Sequence, residues 1–157
     1  MPFHTPLSPE QQRALGITSP QPLAMADRVR FAELDPLNHV NNKAYMEWFE
    51  TSRVIYWDSF CAGFFENDQP PRVVLRNASV HYIREMVLGE SYITTARVSA
   101  MRKTSYSMEQ QLWSGGILRC RMECVMVMLT PDGTERMALP DGLRAQFETI
   151  DGAVSEA

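Results

Sequence analysis

Between residues 117 and 129 apolar side chains recur at every second position: Leu118, Cys120, Met122, Cys124, Met126 and Met128. Arg119, Arg121 and Glu123 begin the opposite face. Successive side chains of a strand point to opposite sides, so this segment predicts a strand with one strongly buried face. The same period runs, less strictly, through residues 73–83, 91–101 and 105–113. Met101-Arg-Lys-Thr104 and Ser114-Gly-Gly-Ile117 are short enough to close hairpins. Four consecutive antiparallel strands are expected, and the apolar face of such a sheet must be covered.

The cover is one helix. From Lys43 to about Phe60 the period becomes helical, with Tyr45, Trp48, Phe49, Ser52, Ile55 and Tyr56 at spacings of three and four. Glu47, Glu50, Arg53 and Asp58 fall largely between them, and Glu50 is expected to pair with Arg53 along the helix. Asn41 or Asn42 is the natural N-cap and Gly63 a stop. Trp48 and Phe49 are expected to pack on the sulfur-rich stripe of the last strand. Residues 24–34 predict a first strand, broken by Pro36, and residues 139–147 a terminal helix begun at Pro140 and Asp141. The fold class is therefore α+β. Residues 1–22, rich in proline, read as an N-terminal extension with a short helix capped by Ser8. Residues 23–150 form the single domain and 151–157 a tail.

Charge narrows the partners. The chain carries 19 acidic and 15 basic residues, a net charge of −4, without the basic footprint of a nucleic-acid binder. A few local cations can still hold an anionic ligand. No apolar run is long enough to span a membrane. Met1 to Gln12 has no basic start followed by an apolar core, so no secretory signal is expected. No membrane partner is expected, and a cytoplasmic location follows by default. Cys61, Cys120 and Cys124 are odd in number and irregularly spaced. On one strand Cys120 and Cys124 would stand about 13 Å apart, too far for a disulfide.

Chemistry concentrates in Phe31-Ala-Glu-Leu-Asp-Pro-Leu-Asn-His-Val-Asn-Asn-Lys-Ala-Tyr45. Glu33, Asp35, His39, Asn41 and Asn42 crowd between a strand and the start of an aromatic helix. A helix N-terminus offers unpaired N–H groups and partial positive charge. A carboxylate beside it stays ionised, and the same N–H groups can bind a developing oxyanion. A nucleophile or base next to an oxyanion site is what acyl transfer needs. A capped turn accounts easily for one Asn. It accounts less well for Asp, His, Asn and Asn together.

The segment resembles the signature of the 4-hydroxybenzoyl-CoA thioesterase-like family of hot-dog proteins. The match runs through Glu33, Asp35, His39, Asn41, Asn42, Tyr45, Phe49, Glu50 and Arg53, and continues weakly in Val80-His-Tyr-Ile83, Leu88-Gly-Glu90 and Lys103-Thr-Ser-Tyr106. Asn38 stands where that signature usually has glycine, Glu85 where it often has proline and Glu90 where it often has Asp. The resemblance implies a hot-dog fold, an antiparallel sheet wrapped around one long helix. It implies an acyl-CoA thioesterase in which Asp35 attacks the thioester or activates water. The backbone N–H of Asn42 would polarise the carbonyl. His39 and Asn41 would shape the loop or orient water, and Tyr45 and Trp48 would line the acyl pocket. Arg102 and Lys103, with Arg119 and Arg121, are candidate contacts to CoA phosphates. The expected partners are an acyl-CoA, or an acyl carrier protein, and a second copy of the chain in a homodimer or homotetramer. No cofactor is implied. No metal is implied either, because His4, His39 and His81 are scattered.

Four other readings stay open. A hot-dog hydratase or dehydratase also uses an Asp and a His, and a hot-dog protein can bind acyl groups without turnover. Glu47 or Glu50 on the helix could replace Asp35, and Ser79 with His81 could form a Ser-His pair.

Overall fold

The computed structural model describes residues 1–67 and 69–156. Helix α1 (Pro9–Ala14) precedes strand β1 (Leu23–Arg28) and the long helix α2 (Asn42–Tyr56). Strands β2 (Arg72–Tyr82), β3 (Ser91–Met101), β4 (Ser105–Ser114) and β5 (Ile117–Leu129) follow. Helix α3 (Asp141–Asp151) and the short strand β6 (Val154–Ser155) end the order. The sheet runs β1-β3-β4-β5-β2, all antiparallel, with β6 added in parallel beside β3.

The period-two segments became the four strands. Cys120, Met122, Cys124, Met126 and Met128 of β5 all face the core, which they share with Tyr45, Trp48, Phe49 and Tyr56 of α2 and Leu143 and Phe147 of α3. Burying these apolar faces against each other is the main favourable term in assembling helix on sheet. Within that core Trp48 stacks on Tyr92 of β3, ring centroids 4.0 Å apart, and meets Tyr45 edge-on at 5.5 Å.

Two boundaries differ from expectation. The predicted first strand ends at Arg28: the Val29 N–H makes the last bond of the β1–β3 ladder, to the Glu90 carbonyl (2.9 Å), the Glu90 N–H turns to the Val87 carbonyl (3.4 Å), and residues Phe31–Glu33 form a single 3-10 turn. Phe31, which shares the parity of Met25 and Val29 in the sequence, is 80% exposed. The long helix leaves α-helical geometry after Tyr56 and continues as one π turn, Trp57–Cys61, then a 3-10 turn, Ala62–Phe65.

The sheet's two edges are treated differently. Along β1, the His4 and Leu7 N–H groups donate to the Ala26 and Ala24 carbonyls (3.1 and 2.9 Å). Leu7 and Ile17 join Ala24, Ala26 and Ile93 in a small second core on the sheet's other face. Along β2, nearly every residue is solvent-exposed, and no described strand pairs with its outer side. An open edge of this length is a template for another strand.

Candidate active site

The 31–42 segment folds back on itself. Residues 33–35 run antiparallel to residues 39–41: the Asp35 N–H donates to the His39 carbonyl (2.7 Å) and the Asn41 N–H to the Glu33 carbonyl (2.8 Å). Asn38 makes the reversal with φ 64°, a left-handed conformation that Asn adopts more readily than most residues. The Val40 N–H then donates to the Met86 carbonyl (2.9 Å), tying this hairpin to the segment before β3.

Inside the hairpin, Asp35 Oδ1 accepts from the Leu37 and His39 N–H groups (2.8 and 3.1 Å). This fixes the half-buried carboxylate while Oδ2 keeps no partner among the described residues. Asn41 is the N-cap of α2; its Oδ1 accepts from the Ala44 N–H (2.7 Å). The cap satisfies the third helical N–H. The N–H groups of Asn42 and Lys43, first and second in the helix, have no acceptor among the described residues. A carboxylate with one free oxygen thus lies in the hairpin that leads directly into two free backbone donors.

Glu33 braces the arrangement. Its Oε1 accepts from the Arg30 N–H (2.8 Å) and its Oε2 from the Trp48 indole N–H (2.6 Å). Tyr45 and Trp48 are buried core residues; Tyr45 meets Tyr82 edge-on with centroids 5.3 Å apart. Burial pushes the Tyr45 hydroxyl up to about 12, so it stays protonated at neutral pH.

Loop 83–90 carries a feature the sequence did not signal. Arg119, half-buried, donates to Glu90 Oε1 (2.9 Å) and to the Glu85 carbonyl (2.8 Å). Glu90 Oε2 in turn accepts from the Val87 N–H (2.7 Å). Arg119 therefore clamps the segment against which the Asp35 hairpin pairs. No spacing rule links residues 29 positions apart, so only the fold could show it.

Several candidates are not brought to this place. Arg102 and Lys103 lie in the β3–β4 turn, at the opposite end of β3 from the Asp35 hairpin, about 30 Å away along the strand. The Arg102 guanidinium is paired with Glu156 (2.8 Å). Arg53 does not bond Glu50, as helical spacing suggested; its Nη1 donates to Gln110 Oε1 on β4 (3.0 Å). Ser79 Oγ and His81 Nε2 stand 3.4 Å apart on the exposed β2 edge, and no carboxylate among the described residues bonds the ring. The three cysteines are free and buried, and burial pushes the Cys61 and Cys120 thiols up to about 12, so neither supplies a thiolate at neutral pH. Among the described residues no three His, Cys, Asp or Glu side chains come together to hold a metal ion. No described helix is long and apolar enough to cross a membrane.

Residues 29–147, which contain the hairpin, α2, strands β2 to β5 and the Arg119 clamp, match the model of the thioesterase-like superfamily. The chain belongs to that superfamily. Its fold is the hot-dog fold, with α2 as the long helix. The chain is similar over 99% of both lengths, at 39% identity and a TM-score of 0.90, to a thioesterase-superfamily structure from Jannaschia sp. CCS1. It is also similar to a thioesterase from Thermus thermophilus determined in complex with coenzyme A and Zn. There the identity is 26%, the coverage 84% of this chain and 96% of that one, and the TM-score 0.71. No curated protein matches the chain in sequence. Superfamily membership and these neighbours support thioesterase activity in general terms.

Proposed function

We propose that the protein hydrolyses the thioester of an acyl-CoA to a free acid and CoA, with Asp35 as the carboxylate that acts on the carbonyl. The observation that carries this reading is the pairing of a fixed Asp35 carboxylate, free at Oδ2, with two unsatisfied N–H groups at the start of α2. A thioester carbonyl set against the Asn42 N–H would be polarised, and negative charge developing on its oxygen would be stabilised there. Asp35 Oδ2 then attacks the carbonyl carbon to give an anhydride that water hydrolyses, or removes a proton from the attacking water. In either case the thiolate of CoA leaves and takes a proton.

His39 and Asn41 serve the loop in this account. His39 presents its backbone to Asp35, and Asn41 caps the helix, leaving the Asn42 and Lys43 donors free. Tyr45 and Trp48 support the wall behind the loop. CoA as the thiol carrier is supported by the complex of the Thermus neighbour. Arg102 and Lys103 could meet CoA phosphates of a substrate bound at Asp35 only if they came from another subunit.

The active form proposed is a homodimer or a larger even assembly. The open β2 edge supports this, as do Leu37, Tyr82, Ile83, Val87 and Leu88, all exposed around the Asp35 hairpin. Apolar surface gathered at one place marks an interaction site. Release of free thiol from a panel of acyl-CoAs tests the reaction; a protein that binds acyl-CoA without releasing thiol would overturn it.

A further inference from the structure

A cavity of about 390 Å³ opens between the C-terminal half of α2 and the N-terminal half of β2. Its walls include Trp57, Val73, Leu75 and Tyr106, with Glu50 and Arg53 as its charged members. Small-molecule pockets span roughly 300–1,000 Å³, so this one suits an acyl group and not a whole CoA.

Arg53 is an unusual wall for such a space. It stands three residues after Glu50, yet neither it nor Glu50 forms an ion pair among the described residues. Among the described residues its one bond goes to Gln110, which is fully buried and fixed in turn by donating to the Phe49 carbonyl (2.8 Å). The guanidinium is therefore held in place by β4 and α2 with most of its five donors unspent. These donors face the opening of the cavity, where water or a ligand oxygen can meet them.

The edge strand connects this cavity to the proposed reaction. Two copies of β2 paired antiparallel about a two-fold axis would set the N-terminal half of one strand beside the C-terminal half of the other. The first half walls the cavity; the second, at Tyr82, adjoins Tyr45 at the head of α2, where the Asp35 hairpin lies. Each cavity would then open next to the other copy's hairpin.

Resting on the hydrolase reading above, we infer that Arg53 determines specificity: it receives an oxygen acceptor at the far end of the acyl group while the thioester lies at the other copy's Asp35. The acceptor is a carboxylate or a hydroxyl. A carboxylate would take the Arg53 donors alone; a hydroxyl would also donate to Glu50.

The test is thiol-release kinetics on the full chain with three six-carbon substrates: hexanoyl-CoA, 6-hydroxyhexanoyl-CoA and adipyl-CoA. The wild type should favour at least one oxygen-ended substrate over hexanoyl-CoA by about tenfold or more in kcat/KM, the worth of a hydrogen bond to a charged group. In Arg53→Met that ratio should fall to within about threefold of one, the change lying mainly in KM, and Arg53→Lys should restore part of it. A merely structural Arg53 would slow all three substrates alike and leave the ratio unchanged. A wild-type ratio near one overturns the inference without any variant, as does a ratio that survives in Arg53→Met or, should that variant not fold, stays undiminished in Arg53→Lys. Turnover of none of the three, nor of any other acyl-CoA, overturns the hydrolase reading itself.

Discussion

The Trp48 indole N–H donates to the Glu33 carboxylate at 2.6 Å, joining the strand side of the Asp35 hairpin to the second turn of α2. The bond crosses fifteen residues of sequence and fixes the angle at which the hairpin enters the helix. Hydrogen bonds to charged groups contribute about 1.5–3 kcal/mol.

Trp48→Phe keeps an aromatic ring against Tyr92 but removes the donor. It should lower thermal stability by about 2–4 °C for each kcal/mol lost. The specific check is a double-mutant cycle with Glu33→Gln. The second substitution should cost far less in the Trp48→Phe background than in the wild type. Simple additivity of the two Tm changes would show that the bond contributes nothing of its own.

A buried carboxylate acts far from the hairpin. Asp151 Oδ2, near the end of α3, accepts from the Tyr56 hydroxyl (2.5 Å) and the Val98 N–H (2.7 Å). Burial raises its pKa above the ordinary 3.8, against the lowering effect of these bonds and of Arg97. A raised folded-state pKa means that the folded protein prefers the protonated form. The contribution is thus complete below about pH 3.9 and is lost as pH rises through the raised value. Asp151→Asn keeps an acceptor and cannot ionise. The wild type should therefore lose stability relative to Asp151→Asn as pH rises from about 4 towards 7, read as the difference in Tm. A difference that moves in favour of the wild type over that range would contradict the sign.

The elements were legible because each repeats one period long enough to be read. Helix α2 shows in the three- and four-residue spacing from Tyr45 to Tyr56, and β5 in its run of alternating sulfur side chains. The end of β1 was not legible. Phe31 continues the alternation in sequence, but the β1–β3 ladder makes its last bond at Val29, where the partner Glu90 turns its own N–H back to the Val87 carbonyl, a turn distant in sequence from β1. The crowding of Asp35, His39, Asn41 and Asn42 could be read directly, because turn and cap chemistry is local. The environment around them could not. The Arg119–Glu90 clamp and the Arg53–Gln110 bond join residues 29 and 57 positions apart, and helical spacing favoured the wrong partner for Arg53.

Association through β2 makes a direct statement about mass. The chain weighs 17.9 kDa, and light scattering at micromolar concentration should return twice that value or an even multiple of it. Hydrogen exchange should show the β2 amides protected although that edge is open in the single chain. A monomer at working concentration, fully active, would remove the shared-site arrangement.

If Asp35 carries out the reaction, the decisive comparison is thiol release from acyl-CoA by the wild type and by Asp35→Asn, with melting curves of both. Asn retains an Oδ1 to accept from the Leu37 and His39 N–H groups, so the hairpin should survive and the melting curves should agree. Losing the carboxylate should slow hydrolysis by about a hundredfold or more. A folded Asp35→Asn protein that releases thiol at the wild-type rate would contradict the account.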